Sequence, residues 1–152
     1  MKVEYVNPFL ASTKNTFETM IQMKVTAGSL QLKKQPFPTY DVSGIIGLSG
    51  DAVGSISISF PRITALKVVS KFIAQEIKII GAEVTDAVGE LANIIAGSAK
   101  KDLSGMNISI SLPSVIIGRS HRLSGPSDAQ NLVVPFSSEL GDFAIEISLK
   151  TK

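Results

Sequence analysis

The order of periodicities along this chain repeats, and the repeat restricts the fold more than any single motif does. A helical pattern, a short alternating run and a pair of alternating runs joined by a turn occur in residues 1–80 and again in residues 81–152. In the first half, Phe9, Leu10, Phe17, Met20 and Ile21 recur at helical spacing and should face the core. Asn7 followed by Pro8 reads as an N-cap with proline at the first helical position, so the helix is expected from Pro8 to about Met23. Leu30 and Leu32 alternate with Gln31 and Lys33, a strand with one wet face. The segment QPFPTYD is a connection, because two prolines two residues apart interrupt any ladder. Residues 45–60, IIGLSGDAVGSISISF, set alternating apolar residues on either side of a Ser-Gly-Asp turn and predict a hairpin. From Pro61 the spacing of Ile63, Leu66, Val69 and Phe72 is helical, and KII at 78–80 closes the half.

The second half follows the same plan: a helix over about 84–103, a strand MNISISL at 106–112, a long connection, and a hairpin NLVVPFSSELGDFAIEISL. Ile145, Ile147 and Leu149 there echo Ile56, Ile58 and Phe60, and a shift of 78 residues lays Ser12 and Asn15 on Glu90 and Asn93. The expected class is α+β. Two helix–strand–hairpin halves, related by a pseudo-twofold axis, merge their strands into one antiparallel sheet with the two long helices packed side by side on one face. At 152 residues and 44% hydrophobic content, a single domain spanning 1–152 is expected.

The second long helix carries the chemistry. At about 100° per residue, Val88, Leu91, Ala92, Ile95, Ala99 and Leu103 fall on one side and form the buried face. Asp86, Glu90, Asn93, Gly97, Lys100 and Lys101 fall on the other, with Ile94 beside Glu90. Gly89 and Gly97 each weaken a helix interior by about 1 kcal/mol relative to alanine. Either they allow another protein to approach this strip closely, or they serve close packing against the first helix. Glu followed three residues later by Asn arises easily by chance, and Glu4 and Asn7 are a second instance.

Context separates the two pairs. GELANIIAG resembles the phosphatase signature of the CheC, CheX and FliY family, which removes phosphoryl groups from CheY-type response regulators. The match is an ExxN pair on an exposed helix, with a small residue before Glu90 and IIAG after Asn93. The start YVNPFLASTKNTFETM, the hairpin SGDAVGSISISF and the ending PFSSELGDFAIEISL resemble the CheX branch, as does the connection LPSVIIGRSHRLSGPSDAQN. CheX has one ExxN where CheC has two, and here Ser12 stands where a second glutamate would be. The resemblance implies a phosphatase in which Asn93 orients the attacking water and Glu90 pairs with the regulator's active-site lysine, while Asp86, Ile94, Gly97, Lys100 and Lys101 border the contact. It also implies a homodimer, no cofactor of its own, and Mg²⁺ held in the phosphorylated partner. The other reading is a non-catalytic interaction module on the same fold, as in flagellar-switch relatives.

Composition narrows the alternatives. A net charge of +2 without a basic stripe does not suggest nucleic acid. Zero cysteines remove thiolate catalysis and disulfides and fit a reducing compartment. The start MKVEYVNPFLASTKN lacks an apolar h-region, and no run approaches the roughly 20 residues that span a bilayer, so a cytoplasmic protein with no membrane partner is expected. His121 is the single histidine, which leaves little for a histidine metal site or a Ser/His/Asp triad. Acidic residues are too scattered for a carboxylate metal site. The glycines of SGDAVGS lack the Lys and Ser/Thr of a phosphate cradle and read as turn chemistry.

Overall fold

A computed structural model describes residues 3–103, 105–120 and 129–151. The chain forms one antiparallel sheet and three α-helices, the α+β class that the periodicities predict. In chain order these are α1 (Val3–Thr16), a π-helical turn (Phe17–Ile21), β1 (Thr26–Ala27), β2 (Gln31–Leu32), β3 (Val42–Gly50), β4 (Ala52–Phe60), α2 (Arg62–Phe72), α3 (Ala82–Lys101), β5 (Ile108–Ile110), β6 (Ser114–Ile117), β7 (Gln130–Ser137) and β8 (Phe143–Thr151). The sheet order is β1-β7-β8-β4-β3-β5, with β2 also beside β7 and β6 also beside β3. The two expected hairpins, β3–β4 and β7–β8, therefore meet at the middle through β4 and β8, where Ile56 lies opposite Ile147 and Ile58 opposite Ile145. Each outer edge is a strand in two pieces.

Strand alternation gives the sheet two unlike faces. One face carries Ile46, Leu48, Ile56, Ile58, Phe60, Val134, Phe136, Phe143, Ile145 and Ile147, all buried beneath the helices. Phe143 stacks between Phe17 at 4.7 Å and Phe136 at 5.1 Å, centroid to centroid, which ties the π-helical turn to the sheet. The rear face presents Ser43, Ser57, Ser59 and Glu146, and Glu146 is only 5% exposed. Its carboxylate accepts the Thr39 N–H at 2.8 Å, the Thr39 hydroxyl, and Ser57 Oγ at 3.1 Å, and it pairs with Lys33 Nζ at 3.3 Å. The Tyr40 N–H donates to Ser59 Oγ at 2.9 Å. The proline-containing connection thus crosses the rear of the sheet, its polar groups met by polar side chains as buried groups require.

Several expectations are corrected. α1 begins at Val3 and passes through Pro8, so Asn7 is an exposed helix residue and not a cap. One missing N–H is offset by burial of Val6 and Phe9 on either side of the proline. At the other end the π-helical turn, closed by Gln22 at φ 58°, buries Phe17 and Ile21 but rotates Met20 outward to 45% exposure. β2 is a two-residue edge strand, and Leu32 is 65% exposed, because the edge lies outside the hydrophobic layer. α2 buries Thr64, Ala65, Val68 and Val69 and leaves Ile63 outside at 67%, since small residues allow the closer approach. The strand expected at 106–112 is shorter, and β6 follows it inside the long connection. His121 and Arg122 lie outside the described residues.

α3 sits on β3 at Gly44. A methyl group there would stand 3.0 Å from Val88 Cγ1, 3.0 Å from the Val88 carbonyl oxygen and 3.2 Å from Ala92 Cβ. Gly44→Ala is therefore expected to lift α3 from the sheet and destabilise the protein by about 1–3 kcal/mol, the usual cost of overpacking. Urea unfolding should show a lowered midpoint at unchanged slope; an unaltered midpoint would remove Gly44 as the seat of the helix.

Candidate functional site

α3 is a 20-residue helix whose phase is fixed from three sides. Toward the sheet, Val88 and Ala92 meet Gly44, and Ala92 and Ile95 lie over Ile56, Ile58 and Ile145. Toward α1, Ser12 Oγ donates to the Ile95 carbonyl at 2.7 Å, a buried bond between the two long helices. Toward the β5–β6 edge, Gly89 is buried, and a methyl group there would meet Pro113 Cβ and Cγ and Val115 Cγ2 at 3.5 Å, an ordinary contact distance.

With three sides occupied, the fourth is exposed. It holds Asp86, Glu90, Asn93, Lys100 and Lys101, all exposed, as the 3.6-residue period predicts. Gly97 and Ile94 are half-buried at the borders of the strip, and Ile110 Cδ1 would be 3.9 Å from a methyl at Gly97. Glu90 and Asn93 stand one turn apart, and neither side chain makes a hydrogen bond or ion pair among the described residues. A carboxylate and an amide are thus held side by side on a rigid element with their polar atoms unspent. Such a pair can grip a cation and position a water molecule without any metal of its own. Among the described residues no three His, Cys, Asp or Glu side chains cluster as metal ligands. Lys100 and Lys101 lie in the last turn, where positive charge also complements the helix dipole.

The proposed counterpart in the first half does not match in environment. Ser12 is buried at the α1–α3 seam, bonded to Ile95, while Asn15 is exposed and its carbonyl accepts the Thr19 hydroxyl at 2.8 Å. A glutamate at residue 12 would be driven into the helix seam. Gly89 also departs from both readings given above: it packs against the β5–β6 connection, neither on α1 nor at the open strip. Sequence reasoning missed that connection as part of the site's border. The only available signal was Pro113 after an alternating run.

Comparison with known proteins identifies the family and the fold. The sequence family described as chemotaxis phosphatase CheX matches residues 42–137. The CheY-P phosphatase CheX of Thermotoga maritima is 27% identical over 154 aligned residues, covering 99% of each chain. A CheC-like superfamily protein from Shewanella sp. PV-4 has a TM-score of 0.89 at 39% identity over 99% of both chains. CheX of Borrelia burgdorferi, solved in a complex with CheY, BeF3 and Mg²⁺, has a TM-score of 0.84 at 28% identity, covering 98% of this chain and 99% of that one. With its family matched over most of its length and its fold over nearly all of it, the chain belongs to the chemotaxis phosphatase family CheX.

Proposed function

We propose that the exposed strip of α3 hydrolyses the aspartyl phosphate of a CheY-type response regulator, with Asn93 orienting the attacking water and Glu90 anchoring to the regulator's active-site lysine. The observation that carries this reading is the unspent Glu90 and Asn93 pair, one turn apart on the open side of a helix clamped on its other sides. The CheY-P phosphatase relative supports the substrate class. The complex of the Borrelia relative with CheY, BeF3 and Mg²⁺ supports the partner, since a trifluoroberyllate on a carboxylate has the shape and charge of an aspartyl phosphate.

Phosphoryl transfer is governed by positioning and electrostatics. Mg²⁺ bound by the regulator neutralises the phosphoryl oxygens, so the missing element is a water held in line. Asn93 Oδ1 accepts a hydrogen from that water, which leaves the water's lone pair aimed at phosphorus, and Nδ2–H donates to a phosphoryl oxygen. The water oxygen bonds to phosphorus as the bond to the aspartate oxygen breaks, releasing inorganic phosphate and a free carboxylate. Asn93 ends as it began. Glu90, desolvated on docking against the lysine, sets the depth at which the amide enters. Asp86, Ile94, Gly97, Lys100 and Lys101 surround this point and contact the regulator. The enzyme works in the cytoplasm with its regulator, which the absence of cysteine suits. It acts as a homodimer, joined between sheets as the resemblance to CheX implies.

Three measurements test this. Loss of radiolabelled phosphate from a CheY-type regulator with Mg²⁺ should be accelerated by the wild type. Asn93→Ala should lower that acceleration about 100-fold or more, as removal of one transition-state hydrogen-bonding group does. It should change folding stability by less than about 0.5 kcal/mol because the residue is exposed. A large fall in thermal midpoint would mark it as structural. Glu90→Ala should raise the regulator concentration needed for half-maximal rate about 30-fold, the cost of leaving a buried lysine unpaired, and an unchanged value removes the anchor. Light scattering should give about 32 kDa, twice the 16.1 kDa of one chain, and a monomer at micromolar concentration would remove the dimer.

A further inference from the structure

Leu112 is 88% exposed, more than any other large apolar side chain among the described residues. Its setting is not that of a loose loop. On one side of it the Ser111 N–H donates to the Gly47 carbonyl at 2.9 Å, the Gly47 N–H donates to Ser111 Oγ at 2.8 Å, and Ser111 Oγ donates to the Leu112 carbonyl at 2.8 Å. On the other side, Pro113 is seated against Gly89. The backbone is held at both neighbours while the apolar side chain between them faces water.

Its place relative to α3 follows from two anchors. Gly89, Asn93 and Gly97 form one row at four-residue spacing. The ends of that row face Pro113 and Ile110 respectively. Eight residues of helix cover about 12 Å. The segment from Ile110 to Pro113, which bulges between its Ile110–Leu48 and Ser114–Ile45 pairings with β3, joins the two ends of the row, so Leu112 lies between them, along the stretch that Asn93 occupies. Ile108 is buried, Ile110 half-buried and Leu112 exposed, so the apolar run climbs out of the core and ends beside the exposed amide.

We infer that Leu112 is a docking contact for the phosphorylated receiver domain, an apolar rim that meets the partner's surface next to its phosphorylation site and helps exclude bulk water around Asn93. This rests on the function proposed above. The receiver is the occupant because the row and the rim form one continuous surface around Asn93, and a second copy of this chain seated there would cover the amide. The role is binding and specificity; Leu112 touches no reacting atom.

The test is phosphate release from a radiolabelled CheY-type receiver with Mg²⁺, comparing wild type, Leu112→Ser and Leu112→Met, with light scattering on each. Leu112→Ser should raise the receiver concentration for half-maximal rate about tenfold, an effect of the size expected for one buried leucine. The maximal rate should stay within about twofold. Leu112→Met should behave as wild type, and all three should have the same mass. An unchanged half-saturation in the serine variant overturns the inference while leaving the phosphatase standing. A change of mass in the serine variant also overturns it and assigns Leu112 to a subunit contact. An inactive wild type overturns the function and the inference together.

Discussion

The close seating of α3 on β3 at Gly44 is the constraint on which the remaining structure depends. Because Val88 and Ala92 reach the backbone of the sheet there, the rotation of the helix about its axis is set at that point. Val88, Leu91, Ile95, Ala96 and Ala99 then go to the core, and the 3.6-residue period sends Asp86, Glu90, Asn93 and Lys100 the opposite way. A slip of one residue would turn every side chain by about 100° and take Asn93 off its strip. The Ser12 hydroxyl on the Ile95 carbonyl and the Pro113 ring on Gly89 hold the same phase from either flank.

The sheet serves two kinds of neighbour with two chemistries. Its helix-facing side is apolar throughout, because helices bring side chains and satisfy their own backbones. Its rear is crossed by residues 33–40, an irregular segment whose backbone groups need partners, and the rear accordingly carries serines and a carboxylate. Glu146 lies on a central strand, directly opposite Ser57 in the β4–β8 register, so the tie reaches from the sheet's edge to its middle. Removing that one carboxylate would take the shared acceptor from Lys33, Thr39 and Ser57 and leave Lys33 with the Phe37 carbonyl, the costly case for buried polar groups.

Much of this was legible from residues alone, and the failures have physical causes. Both hairpins follow from alternation around a turn, and the face of α3 from strong helical periodicity, so the positions of Glu90 and Asn93 were readable before any coordinates. Asn7 and Pro8 misled because burial of Val6 and Phe9 outweighs one lost hydrogen bond. Met20 fell out of register because a π-helical turn changes the period where none is written in the composition. Ile63 misled for a third reason: hydrophobicity ranks it above Thr64 and Ala65, whereas closeness of packing favours the smaller pair. The equivalence of Ser12 with Glu90 rested on a repeat of plan, and plan does not carry exposure with it. The border formed by Pro113 depends on contacts between residues distant in sequence, which no local pattern reports.

The two glycines of α3 acquire a different meaning once Gly89 and Gly97 are seen on the row of Asn93. For about two turns, roughly 12 Å of helix, that row carries a single side chain. Asn93 is the one side chain of that row, and the space beside the two glycines is taken by Pro113 and Val115 at one end and by Ile110 at the other. Its reach is then the length of one asparagine, a single methylene and an amide. A glutamine in its place would be a methylene too long for any pocket measured to that depth.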